Sequence, residues 1–225
     1  MTANDERALE GAVLQVCRDF VASAPVDGAA FTEMTSDAVR DPWVASDATV
    51  AAIESAQYTL GEGPTQDAYS TRRPVLVPDL GAAWVAARWP MLVVEIAKLD
   101  VASLFAMPMR IGAITVGVCT VYRRDVGALA ETDLHVLLAA MDGATLTLLG
   151  LRAGGLDGNA ETARSGGTLP RGVHQATGML VAQLGVSAET AFARLRAHAY
   201  ATERTIHEVA EDIVERRLRL EADPV

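Results

Sequence analysis

The chain has 225 residues, half of them hydrophobic, and a formal net charge of −10. That length holds one large domain or two modest ones, with enough apolar residues for packed cores. So acidic a balance excludes a polycation held to nucleic acid by counterion release alone, and two cysteines, Cys17 and Cys119, make neither a disulfide framework nor a metal site, reading instead as buried thiols.

In chain order, residues 6–22 predict an amphipathic helix with Leu9, Val13, Val16, Cys17 and Phe20 on one face. Ala-Pro-Val-Asp-Gly at 24–28 breaks it, and Ala29 to Thr35 predicts a strand. A short strand follows at Trp43 to Ala45, then a helix over Val50–Tyr58 capped from Ser46-Asp47. Gly61-Glu62-Gly63-Pro64 is a loop, with a helical turn over Gln66–Ser70 beyond it. The proline-bracketed run Arg73–Asp79 predicts a strand, and 83–99 an amphipathic helix using Leu92, Val93, Ile96 and Leu99. Ala102–Arg110 and Ile114–Tyr122 predict a hairpin, and Leu129–Leu151 a long helix with an apolar stripe. Residues 152–169, rich in glycine and small polar side chains, read as a flexible linker between a domain over 1–151 and a second over 170–225. No apolar run approaches the roughly 18 residues of a membrane span, and the start Thr-Ala-Asn-Asp-Glu-Arg is unlike a signal peptide. The expectation is a cytoplasmic protein without a membrane partner.

The last segment predicts three helices. Val173, Ala176, Leu180, Val181 and Leu184 form one apolar stripe, ended by Gly185. Ser187 is placed to cap the second helix, whose stripe is Ala188, Ala191, Phe192, Leu195 and Ala199. Thr205 and Glu208 have capping-box spacing ahead of Ile206, Val209, Ala210 and Ile213. Charge is divided unevenly. Residues 1–170 carry 12 Lys and Arg against 21 Asp and Glu, whereas 171–225 carry seven Arg against eight acidic residues. An acidic first domain could therefore hold the helical tail away from nucleic acid until a signal arrives.

The runs H-Q-A-T-G-M-L, A-F-A-R-L-R-A-H-A and I-H-E-V-A-E-D-I-V make the tail resemble the ANTAR family, helical modules that bind RNA in transcription antitermination. The earlier part is similar to GAF sensor domains at Trp43-Val44-Ala45-Ser46-Asp47, Gln57-Tyr58, Gly61-Glu62-Gly63-Pro64, Pro74–Asp79 and Met107-Pro108-Met109. As a whole the chain resembles an actinobacterial-type GAF–ANTAR regulator. The fold expected is an α+β GAF-like domain, an antiparallel sheet flanked by helices, followed by an all-α three-helix ANTAR-like domain. Many such regulators have a cysteine after Glu-Gly-Pro; Thr65 stands there instead, which removes thiol sensing at that position.

The resemblance implies a structured RNA partner. The residues expected at its surface are Gln175, Thr177, Gly178, Arg194, Arg196 and Arg204, because guanidinium groups suit phosphates and stacked bases. Many ANTAR relatives carry a lysine near Thr177, which this chain lacks. Phe31, Trp43, Tyr58, Met107 and Thr120 are expected to line a sensor pocket for an unidentified small molecule, with a filled core as the alternative. No cofactor is expected. His135, His174, His198 and His207 show no metal-ligand pattern and read as helix-surface residues. No phosphate loop, serine triad or nucleophile elbow is present, so no catalytic residue is assigned. A homodimer through residues 7–20 and 129–151 is expected. Alternatives are a DNA-binding regulator, a sensor acting through protein contacts alone, and a Cys119-dependent redox enzyme.

Overall fold

The structure, a computed structural model, describes residues 3–34, 40–154 and 171–220. The apolar stripe of the first segment folds as α1 (Ala3–Ser23). It is followed by β1 (Gly28–Met34) and β2 (Arg40–Ala45). Asp47 caps α2 (Ala48–Leu60), its carboxylate accepting from the N–H groups of Thr49 (2.8 Å) and Val50 (3.0 Å). Gly61 ends α2 at φ 68°, a left-handed turn that glycine adopts without a Cβ penalty. Then come α3 (Pro64–Thr71) and β3 (Val75–Val77).

The single helix expected over 83–99 is two helices, α4 (Ala83–Arg88) and α5 (Pro90–Ile96). Pro90 has no N–H to continue the ladder and pushes Trp89 out of the helical region, to φ −133° and ψ 68°. The Glu62 carboxylate caps α5 from a distance, accepting from Met91 N and Leu92 N, both at 2.8 Å. Leu99 falls beyond the helix end.

β4 (Ser103–Ile111) and β5 (Ile114–Arg123) form the expected hairpin. The five strands make one sheet in the order β2-β1-β5-β4-β3, antiparallel throughout. Strand alternation sends side chains to two faces. One face packs Phe31, Phe105, Met107 and Cys119 against α1 and α6 (Glu131–Gly154). The other packs Ala30, Leu104 and Tyr122 against Ile53, Val85 and Leu92 of α2, α4 and α5, and against Trp89 between the last two.

On α6 the buried apolar side chains are Leu137, Met141, Ala144 and Leu148, one stripe facing the sheet. Glu131–Leu151 reaches a mean hydropathy of 1.6 and is long and apolar enough to span a bilayer by those measures. Charges such as Asp133 and Asp142 break it into shorter apolar runs, and core helices pass the same measures.

The tail folds as α7 (Arg171–Leu184), α8 (Ala188–Ala201) and α9 (Ile206–Val214) around Val173, Leu180, Leu195, Ile206 and Ile213. Ser187 caps α8, accepting from Thr190 N at 3.1 Å. The Thr205–Glu208 capping box is complete. Gly185 has φ 65°. The expected linker lies, from residue 155 onward, outside the described residues.

Candidate nucleic-acid interface

Gln175 and Gly178 lie three apart on α7 and are both exposed. A Cβ built on Gly178 meets nothing within 4 Å, so no packing among the described residues demands glycine there. Glycine inside a helix costs about 1 kcal/mol against alanine; what it leaves on this surface is room for close approach. Thr177 is half-buried and donates to the Val173 carbonyl at 2.7 Å. Arg194 is half-buried on α8.

Arg204 is engaged within the module. Its Nη2 donates to Asp212 Oδ2 at 2.7 Å and to the Glu208 carbonyl at 3.1 Å. Asp212 also accepts from Arg217 Nε at 2.6 Å, and these two guanidinium groups, Arg204 first, hold its carboxyl below the usual range.

Arg196 has a different partner. Its Nη2 donates to the Leu60 carbonyl, 3.0 Å away, at the C-terminus of α2. A cation there satisfies an orphan carbonyl and complements the helix dipole. The guanidinium fills the space beside Gly61 that a side chain would take. Its Cζ lies 5.8 Å from the Phe192 ring, and its Nε is buried with no partner among the described residues. Burial lowers the Arg196 pKa, opposed by the nearby Tyr58.

More of α2 joins this contact. The Tyr58 ring lies 5.6 Å from Phe192 and 5.7 Å from His207. Ile206 N donates to Thr59 Oγ1 at 3.3 Å, and Tyr200 Oη lies 3.8 Å from Met91 Sδ. Burial also lowers the His207 pKa, against an opposing pull from Glu208, and so favours a neutral imidazole. The six expected residues therefore do not form one open patch. Gln175 and Gly178 face water, while Arg196 is turned onto the first domain.

The expected sensor-pocket residues separate as well. Phe31 and Met107 sit on the sheet face covered by α1 and α6. Thr120 is on the opposite face, because β1–β5 register pairs it with Ala30 and pairs Cys119 with Phe31. Tyr58 points out of the domain into the contact with α8 and α9. The Trp43 side chain lies outside the described residues.

Around Thr120 stands a buried polar cluster that the sequence reading missed. Thr65 Oγ1 lies 2.8 Å from Glu54 Oε1, from Gln57 Nε2 and from Thr120 Oγ1. Thr65 N donates to Gln57 Oε1 at 2.8 Å, Gln57 Nε2 donates to Glu54 Oε1 at 2.8 Å, and Thr32 Oγ1 donates to Glu54 Oε2 at 3.0 Å. The donor count closes with Thr120 donating to Thr65, Thr65 donating to Glu54, and the carboxylate accepting three bonds. The available signal was Glu54 and Gln57, polar at a three-residue spacing beside the core residues Val50 and Ile53.

The two cysteines face the other core. Cys17 donates to the Ala29 carbonyl at 3.3 Å. Burial pushes its pKa to about 12 and raises that of Cys119 well above the thiol value. Both are held as thiols rather than thiolates, unsuited to nucleophilic or redox work at neutral pH.

The fold has known relatives. The GAF region of a membrane protein from Geobacter sulfurreducens is 18% identical at a TM-score of 0.50, covering 65% of this chain and 96% of that one. A GAF domain from Synechocystis, solved in a photoproduct state, is 11% identical at a TM-score of 0.50, covering 66% and 99%. These likenesses concern the fold. No curated protein matches the chain. Two family patterns match it, a GAF domain over residues 3–148 and an ANTAR domain over 171–214. The chain belongs to the GAF family and carries an ANTAR domain behind it, the make-up of regulators that join signal sensing to RNA-binding antitermination.

Proposed function

We propose that this protein is a cytoplasmic, non-enzymatic regulator that binds structured stem-loop RNA through α7 and α8 and favours antitermination in response to a signal received by the GAF domain. The ANTAR match over 171–214 carries this reading. The open face of Gln175 and Gly178 supports it, offering close approach to a folded RNA. Arg196 belongs to that RNA surface when it is not held at Leu60. Its contact with α2 is then a docked, low-affinity state, and the signal acts by loosening it. The effector is an unidentified small molecule.

Gel-shift titration of the full chain against stem-loop RNA and duplex DNA of matched length tests the reading. RNA retained at lower protein concentration than DNA, with Arg194→Ala weakening retention about tenfold, is expected. Equal or tighter DNA binding supports a DNA-binding regulator, and binding to neither supports action through protein contacts alone; both overturn the RNA reading.

The protein is also proposed to act as a homodimer through α1 and α6. Val136 and Leu146 are 49% and 63% exposed on α6, leaving an apolar outer face beside α1. Sedimentation at micromolar concentration is expected to give twice the chain mass, and a strict monomer overturns this arrangement.

A further inference from the structure

Away from the polar cluster and the α2 contact, a groove of about 450 Å³ opens between α3, β3 and α4. Pro74, Val75, Trp84 and Trp89 form its walls, and Arg73 and Arg88 its cationic groups. The volume lies within the range of small-molecule sites, and the groove is open to solvent. Trp84 is 47% exposed, an unusual expense of aromatic surface to water. It is nonetheless fixed in place, edge-on to Trp89 at 5.9 Å and 61°.

The polar part is also ordered. Asp67 Oδ2 accepts from Arg88 Nε at 2.7 Å and from Trp89 Nε1 at 3.2 Å. Arg88 Cζ then lies 5.4 Å from the Trp89 ring centre. One carboxylate thus sets the position of a guanidinium and an indole together. Arg73 makes no hydrogen bond or ion pair with another described residue, so its charge is not offset within the groove. An arginine unpaired among the described residues, on an acidic domain and beside an open indole face, is a match for one kind of ligand.

We propose that this groove binds a flat aromatic molecule carrying one anionic group. The ring stacks on Trp84, and the carboxylate or phosphate meets Arg73 and Arg88, for which guanidinium geometry is suited. The groove also has a path to the ANTAR domain. Trp89 is followed by Pro90 and Met91, Met91 N is held by Glu62, and Met91 Sδ meets Tyr200 of α8 at 3.8 Å. Binding stands apart from the RNA reading; only its effect on RNA rests on that reading.

Calorimetric titration of the full chain, with no RNA present, tests the binding step. Salicylate and AMP separate an aromatic carboxylate source from an aromatic phosphate one, and benzamide serves as a neutral ring. One of the two anions is expected to bind one molecule per chain at submillimolar concentration, and benzamide at least tenfold more weakly. Trp84→Ala and Arg73→Glu are each expected to weaken that anion about tenfold or more. Trp84→Phe, which keeps an aromatic face, retains binding within about threefold, and Arg110→Glu on the β4–β5 hairpin leaves it unchanged. Absence of binding by both anions, equal binding of benzamide, or indifference to both Trp84→Ala and Arg73→Glu overturns the proposal.

Discussion

Replacing Gly61 with alanine is expected to raise RNA affinity about tenfold, within the range of ordinary coupling free energies. The methyl group would occupy the position now taken by the Arg196 guanidinium, so the arginine must leave the Leu60 carbonyl. Gly61 has φ 68°, and alanine there adds about 1 kcal/mol of backbone strain. That strain weakens the α2 end without reaching the sheet. Freed from α2, Arg196 can meet phosphate. Adding Arg196→Ala to the Gly61→Ala chain is then expected to reverse the gain. Gel-shift affinities of wild type, single and double variants decide it. Unchanged or weaker RNA binding by Gly61→Ala would show that the contact with α2 does not restrain the RNA surface.

Thr65→Val is expected to destabilise the protein by about 3 kcal/mol, the scale of breaking a satisfied buried network. Valine matches threonine in shape, so the loss is polar and leaves no cavity. Thr65 and its partners Gln57 and Thr120 are 0% exposed, beyond the reach of water. Without the hydroxyl, Glu54 loses a donor, and Gln57 and Thr120 lose an acceptor. The melting temperature should fall by roughly 6–12 °C for a chain of this size. Thr65→Ser, which keeps the hydroxyl, should cost about 1 kcal/mol. A Thr65→Val protein that melts with the wild type would mean the network contributes nothing net to folding.

What could be read from the sequence was what depends on near neighbours. Asp47, Ser187 and the Thr205–Glu208 pair are caps whose partners lie two or three residues away, and each forms as expected. The α+β architecture followed from the period of the apolar residues and from turn chemistry. The pocket residues failed for a register reason. Phe31 and Thr120 are both strand positions, but which sheet face each takes is fixed only by pairing β1 with β5. Tyr58 and Arg196 failed for a tertiary reason. Each sits at an expected helical position, yet its neighbour belongs to the other domain, and no local pattern announces such a contact. Glu54 and Gln57 were overlooked because polar residues on a helix are ordinarily solvated; their burial needs Thr32, Thr65 and Thr120 arriving from three other elements.

The bond from Arg196 to Leu60 spans 136 residues. A ribosome adding about 5–20 residues per second takes roughly ten seconds to cover that distance. The sheet and α2 can close during this interval, well before α8 emerges. Tyr58 then waits with its ring in water, next to a helix end whose last carbonyl has no cation. A newborn sensor domain is thus adhesive at one spot until its own tail arrives. Truncated chains ending near residue 154 would keep that spot bare, and their self-association would be the trace of an occupant that never came.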